Sequence, residues 1–193
     1  LRNLIPAGLE IERFGGRAWI GVIPFHMSGV RPRLLPSFLA SKFPETNVRT
    51  YVRYKGRPGV WFFSLDAADR LAVWAARRFF HLPYSFASMS VSIVEEAVDY
   101  RARRIATPEV HLSCRYRPVG PLLPTVDGTL EHWLTERYCL FAANQHGEIF
   151  RGDIQHAPWS LQVAEAEIEA NTMTFPLGIT LPDEHPLLHF AKR

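Results

Sequence analysis

The chain has 193 residues, 47% hydrophobic and 21% charged, with 22 basic against 19 acidic side chains and a net charge of +3. A chain of this length fits one domain that buries roughly 70% of its unfolded surface, so neither disulfides nor metal are needed to hold it. The composition excludes a disordered chain or a coiled coil, and no apolar run approaches the ~20 residues that cross a bilayer.

Nineteen of the 22 bases are arginines; the three lysines are Lys42, Lys55 and Lys192. Arginine stays charged and grips carboxylates and phosphates in a planar fork, so such a chain is suited to anions. GC-rich coding gives the same bias without any ligand. The bases are interleaved with acids, with no long basic run or finger spacing, so no nucleic-acid partner is expected. Cys114 and Cys139 are 25 residues apart with no paired Cys-x-x-Cys, which argues against a metal or redox motif; two cysteines leave one disulfide open, and free thiols in a reducing cytoplasm are the simpler reading. No secretory leader is visible and no membrane partner is expected.

Fifteen prolines punctuate the apolar runs, the pattern of many short strands. Gly15-Gly16 marks a turn before a buried strand over 18–25. Gly29 to Pro44 is proline-rich and reads as a surface loop. Over Asn47–Tyr54 the sequence alternates, with Val48, Thr50, Val52 and Tyr54 on one face and Asn47, Arg49, Tyr51 and Arg53 on the other. Residues 55–59 form a hairpin turn into a strand over 60–65. Asp69 is placed to cap a helix over 70–80 with an apolar stripe of Leu71, Trp74 and Ala75, and Pro83 ends it. Strands are expected over 86–94, 98–104 and 110–117, then a loop over 120–128. Thr129 caps a short helix through Glu136. A hairpin turning at 144–147 joins 138–143 to 148–154. Residues 161–171 read as a short acidic helix, and 182–193 carry no clear element. About eight strands and three short helices predict an α+β domain, mainly antiparallel β, or a partly closed barrel.

Four phrases together carry a resemblance: Gly16-Arg-Ala-Trp-Ile-Gly-Val-Ile-Pro-Phe25, Asn47-Val-Arg-Thr-Tyr-Val52, Gly59-Val-Trp-Phe-Phe-Ser-Leu-Asp66 and His132-Trp-Leu-Thr-Glu-Arg-Tyr138. They resemble the YqjF-like family of uncharacterised bacterial proteins over nearly the whole chain, and through it the acetoacetate-decarboxylase-like superfamily. The resemblance implies a cone-shaped β-barrel with a surrounding sheet and an enclosed pocket. It also implies one domain over 1–193 that lacks a short N-terminal segment and a final C-terminal strand. The superfamily reaction uses a lysine with a lowered pKa as an imine-forming nucleophile, followed by a second lysine, just after a Gly-x-Pro. Along Arg77-Arg78-Phe-Phe-His81-Leu-Pro83-Tyr84-Ser85, Pro83 matches that pattern, Tyr84 takes the nucleophile position and Ser85 its neighbour's. A phenol cannot form an imine, so the chain is not expected to be a lysine-dependent acetoacetate decarboxylase.

Five residues are singled out as ligand-binding candidates: Arg49, Tyr84, Ser85, Glu136 and His81. Arg49 lies mid-strand and, if buried, needs an anion; a ligand carboxylate, Glu45 or Glu136 would each serve. Tyr84 and Ser85 enter through the superfamily match. His81 follows a helix beside Arg77 and Arg78, whose charges favour its neutral form while the helix end favours the charged one. Arg101 with Arg103 and Arg115 with Arg117 alternate on strands, either as a solvated face or as an anion groove. His132 and Glu136 sit four apart on a helix, too few ligands for a metal site, and no metal or cofactor is expected. Cys139 lies in an apolar strand and reads as an inert buried thiol.

Two readings of function follow. In the first, the domain encloses a small organic anion such as a carboxylate or keto acid, without imine chemistry. In the second it is a structural or interaction module with a filled barrel, its 5 tryptophans and 13 phenylalanines serving core and self-association, a homo-oligomer included. A third keeps imine chemistry through Lys42 or Lys55.

Overall fold

The computed structural model describes residues 1–30, 41–124, 126–182 and 184–192. Among the described residues, eleven strands join in a single ladder, and two α-helices lie against it. A short strand β1 (Glu10–Ile11) pairs with β3 (Ser41–Tyr54), which also pairs with β2 (Ile20–Val30). β3 turns into β4 (Arg57–Ala67) through Lys55-Gly56, whose φ angles of 47° and 78° are those of a two-residue hairpin. Helix α1 (Arg70–Phe80) carries the chain to β5 (Tyr84–Val94), whose first three residues run parallel to 65–67 of β4. The rest of β5 pairs antiparallel with β6 (Ala97–Arg104), followed by β7 (His111–Leu122). Helix α2 (Leu130–Thr135) precedes β8 (Cys139–Ala143), which lies parallel to β4 and holds β9 (Ile149–Asp153). β10 (Leu161–Asn171) pairs with β7 and with β11 (His189–Ala191).

The mainly antiparallel α+β architecture follows the sequence reading. Among the described residues the order runs β1-β3-β4-β5-β6-β7-β10-β11 without its ends pairing, so the ladder is open rather than a closed barrel.

Several elements differ from the sequence reading. Residues 161–171 are a strand, not an acidic helix. Glu165 and Glu167 stand opposite Arg117 and Arg115 of β7, while Ala164 and Ala166 alternate with them on the other face. Here period 2 and cross-strand charge pairing override the helix propensity of Ala and Glu. The loop expected over 29–44 is strand at both ends, and Lys42 lies on β3; residues 31–40 fall outside the described residues. β7 extends to Leu122, into the loop expected from Gly120, and the tail contributes β11. On α1 the buried side chain is Val73, whereas Leu71 and Trp74 are 79% and 60% exposed. Asp69 caps that helix as expected, accepting from the amides of Leu71 and Ala72 at 2.9 and 3.0 Å.

Both faces of β3 are covered. Val48 joins Tyr100, Ala102, Val110, Leu112 and Met173 in the main core between the two halves of the ladder. Val52 packs with Ile5, Leu9, Cys139 and Phe141. On the opposite face Phe43 and Ala67 lie under Val73 of α1, and Tyr84 packs against them. Further along that face Tyr51 meets Trp133 of α2, ring centroids 4.6 Å apart.

Candidate functional site

Glu45, Asn47 and Arg49 occupy alternate positions of β3, and alternate residues of a strand share a face. That face is the one on which Tyr84 rests. Glu45 is 1% exposed and Asn47 3% exposed. The Tyr84 hydroxyl donates to Glu45 Oε2 at 2.6 Å, and the Asn47 side chain bonds the same carboxyl. Two influences oppose each other at Glu45. Burial disfavours its charge, and the bonds from Tyr84 and Asn47 favour it. Burial prevails, with a smaller push from the Asp66 charge, and the Glu45 carboxyl is raised from 4.5 to about 7. Burial and then the neighbouring carboxylate push the Tyr84 phenol far above its ordinary value, so it serves as a hydrogen-bond donor and not as a source of phenolate.

The other side of the sheet carries a second buried carboxyl. Asp66 is 1% exposed and receives Arg104 through Nε at 3.1 Å and Nη2 at 2.9 Å. Burial raises the Asp66 pKa and the guanidinium opposes the shift. Tyr100 ties the layers together: its hydroxyl donates to the main-chain carbonyl of Glu45 at 2.8 Å and lies 2.9 Å from Thr46 Oγ1.

Arg49 contacts the carbonyl of Leu134 at 3.3 Å and the Tyr51 hydroxyl at 3.5 Å through Nη2. Its Nε and the Asn47 Oδ1 are buried with no hydrogen-bond partner. Buried polar atoms of this kind are costly unless something else satisfies them. The anticipated Arg49–Glu136 pair is not formed: Glu136 is the residue after α2 and its carboxylate accepts from the Tyr138 hydroxyl. The strong ion pair nearby is Arg137 with Glu12 at 2.5 Å, with the guanidinium over the Trp133 ring and Glu12 also holding Arg53.

The remaining candidates lie apart from this line. Ser85 follows Tyr84 in β5, so it points to the opposite face, level with Asp66. His81 is an exposed left-handed residue at the end of α1, its ring against Phe150 at 5.0 Å. The three lysines are exposed. Arg101 faces Ser90 and Ser113 across the ladder, and Arg103 faces Ser88 and His111. They line an open groove of about 410 Å³; another, of about 570 Å³, lies between α1 and Phe86, and neither is lined by Arg49 or Tyr84. Arg117 pairs with Glu165 at 3.0 Å, both well exposed, as on a solvated face. His132 turns to Asp127 at 3.4 Å and His156 stacks on Tyr138, so neither converges with Glu136 on a common point. Cys114 and Cys139 are both free, and burial raises each thiol, Cys114 to about 11.

Glu45 and Asn47 are candidate site groups that the sequence reading passed over, Glu45 having entered only as a possible partner for Arg49. Their alternation with Arg49 was visible, but what covers that face of β3 was not.

The family model of an uncharacterized conserved protein, DUF2071, matches residues 1–193. The uncharacterized protein YqjF of Bacillus subtilis (strain 168) is 47% identical over 194 residues, spanning the whole of this chain and 80% of that protein. Among solved structures, acetoacetate decarboxylase from Legionella pneumophila superposes with a TM-score of 0.58 at 12% identity, over 89% of this chain and 67% of that one. An acetoacetate decarboxylase-like enzyme from Sphingomonas wittichii RW1 gives 0.55 at 14% identity, over 95% and 74%. The enduracididine biosynthesis enzyme MppR, complexed with pyruvate, gives 0.53 at 12% identity, over 89% and 70%. At such identities these likenesses speak for the fold alone, whereas the full-length family match and the Bacillus relative reach the sequence itself: the chain belongs to the YqjF-like DUF2071 family and has an acetoacetate-decarboxylase-like fold.

Proposed function

We propose that this protein binds a small organic anion, a carboxylate or keto acid, on the face of β3 that carries Glu45, Asn47 and Arg49, without imine chemistry. The observation that carries this reading is the line of polar groups beside Tyr84, Glu45 and Asn47 buried and Arg49 half-buried. The resemblance puts this donor phenol at the position of the superfamily lysine, and an unsatisfied amide oxygen and guanidinium nitrogen follow two and four positions along from the carboxyl it bonds. In this reading Arg49 holds the ligand carboxylate, charge to charge, and Tyr84 donates to a second oxygen. The complex of MppR with pyruvate supports the ligand class within the fold. Imine chemistry has no support from the three lysines, which are all exposed and none of which is set in the dry pocket that such a nucleophile needs.

Thermal shift with pyruvate, 2-oxobutyrate and acetoacetate tests the reading. Wild type gains stability with ligand concentration and Arg49→Ala loses that gain. An equal shift in the two proteins overturns the role of Arg49, and no shift with any acid overturns the reading. Borohydride treatment with acetoacetate, followed by intact mass, is expected to leave all three lysines unmodified.

The filled core between the two halves of the ladder, with Val48 fully buried against Tyr100 and Met173, favours a second reading as an interaction module. Light scattering across a concentration series, together with absence of any anion response, would support it.

A further inference from the structure

We propose that Glu45 is a proton switch on Tyr84, so that binding of an organic anion beside Tyr84 takes up one proton from solution. This rests on the function proposed above. With Glu45 ionised, the single hydrogen of the Tyr84 hydroxyl is directed to Oε2 and is not available to a ligand oxygen. A ligand carboxylate brought to the same phenol would also place a second negative charge against a carboxylate that is itself 1% exposed. Like charges in a buried site do not both persist, and protonating one of them is the ordinary solution. A proton from solvent added to Glu45 cancels its charge and makes it a donor. The Tyr84 hydrogen then turns to the ligand, and no bond other than O–H is made or broken.

The surroundings admit this change at modest cost. Among the described residues, the titratable groups around Glu45 are Tyr84 on β5, Asp66 on β4, and Tyr100 on β6, which bonds its main-chain carbonyl. Asp66 is engaged by Arg104 and adds a push toward the neutral form. Beside β3, β2 brings Phe25 level with Glu45, and α1 brings Val73 to the cluster that holds Tyr84. No cation pairs with Glu45 within the described residues. With its carboxyl already raised to about 7, Glu45 is partly neutral near neutral pH before any ligand arrives, and the ligand's negative charge raises it well above that in the complex.

Isothermal titration with pyruvate, in buffers of differing ionisation heat, decides the matter on the wild-type protein. The heat is expected to vary with buffer in proportion to about one proton taken up well above neutral pH. The dissociation constant should rise about tenfold per pH unit above about pH 7 and be flat below about pH 6. Glu45→Gln, which keeps the shape and a hydrogen-bonding amide, should bind with a dissociation constant that changes less than about twofold over the same range. Binding whose heat and affinity ignore buffer and pH overturns the switch and leaves the proposed function standing. Absence of binding at every pH overturns both.

Discussion

Glu45 has two consequences at the residue scale that can be separated experimentally, one for ligands and one for stability. In the unfolded chain its carboxyl titrates near 4.5, and in the fold near 7, so the native state binds the proton more tightly. Its contribution is therefore complete below about pH 4.5 and is lost as pH rises through about 7, a loss of about 3 kcal/mol over that window. Denaturant titrations at about pH 5 and about pH 8 should show this decline in wild type and a smaller one in Glu45→Gln. Asp66 is raised by burial too, yet it differs in having a cation on it. Removing that cation with Arg104→Met leaves a buried carboxylate unpaired and should cost about 3–5 kcal/mol, measured by chemical denaturation at neutral pH.

Elements show where local signals sufficed and where they did not. The cap of α1 is a local device, because Asp69 satisfies two amides that the helix itself leaves unpaired. Asp69→Ala should lower stability by about 1 kcal/mol and leave any ligand response unchanged. β10 is the opposite case. Its alanines and glutamates favour helix, but the same residues alternate with period 2, and the arginines of β7 decide between the two readings by pairing. Because β7 lies some fifty residues upstream, no window over 161–171 contains that information. The helix α1 was rightly placed yet its buried stripe was not: Val73 is turned inward by the position of β4 and β5, which periodicity alone does not supply.

At the scale of the molecule, one close approach holds the parallel β4–β8 pair in place. A Cβ at Gly59 would sit 2.7 Å from the Cys139 carbonyl oxygen and 2.7 Å from the Phe141 ring. Backbone on one side and a core ring on the other leave little room to yield, so Gly59→Ala should cost about 1–3 kcal/mol in thermal or chemical unfolding. The same packing brings α2 and the Glu12 ion pair over β3, and Tyr100 links the main core to the back of the Glu45 strand. Tyr84 of β5 thereby meets one end of the polar line at Glu45, and Leu134 of α2 meets the other at Arg49.

By itself the sequence determined the strand-rich, mainly antiparallel class, a hairpin turn within 55–59, the capped helix α1 and, through its resemblance, the family. These depend on short-range alternation, turn chemistry and local motif, which a linear chain displays directly. Tertiary structure alone decided that Glu45 is sealed and bonded to Tyr84, that Arg49 reaches Leu134 instead of Glu136, and that Ser85 and His81 stand away from that line. Burial and the resulting charge of a carboxyl depend on which distant strands and helices cover it, and that is a property of the assembled sheet, not of the residue order.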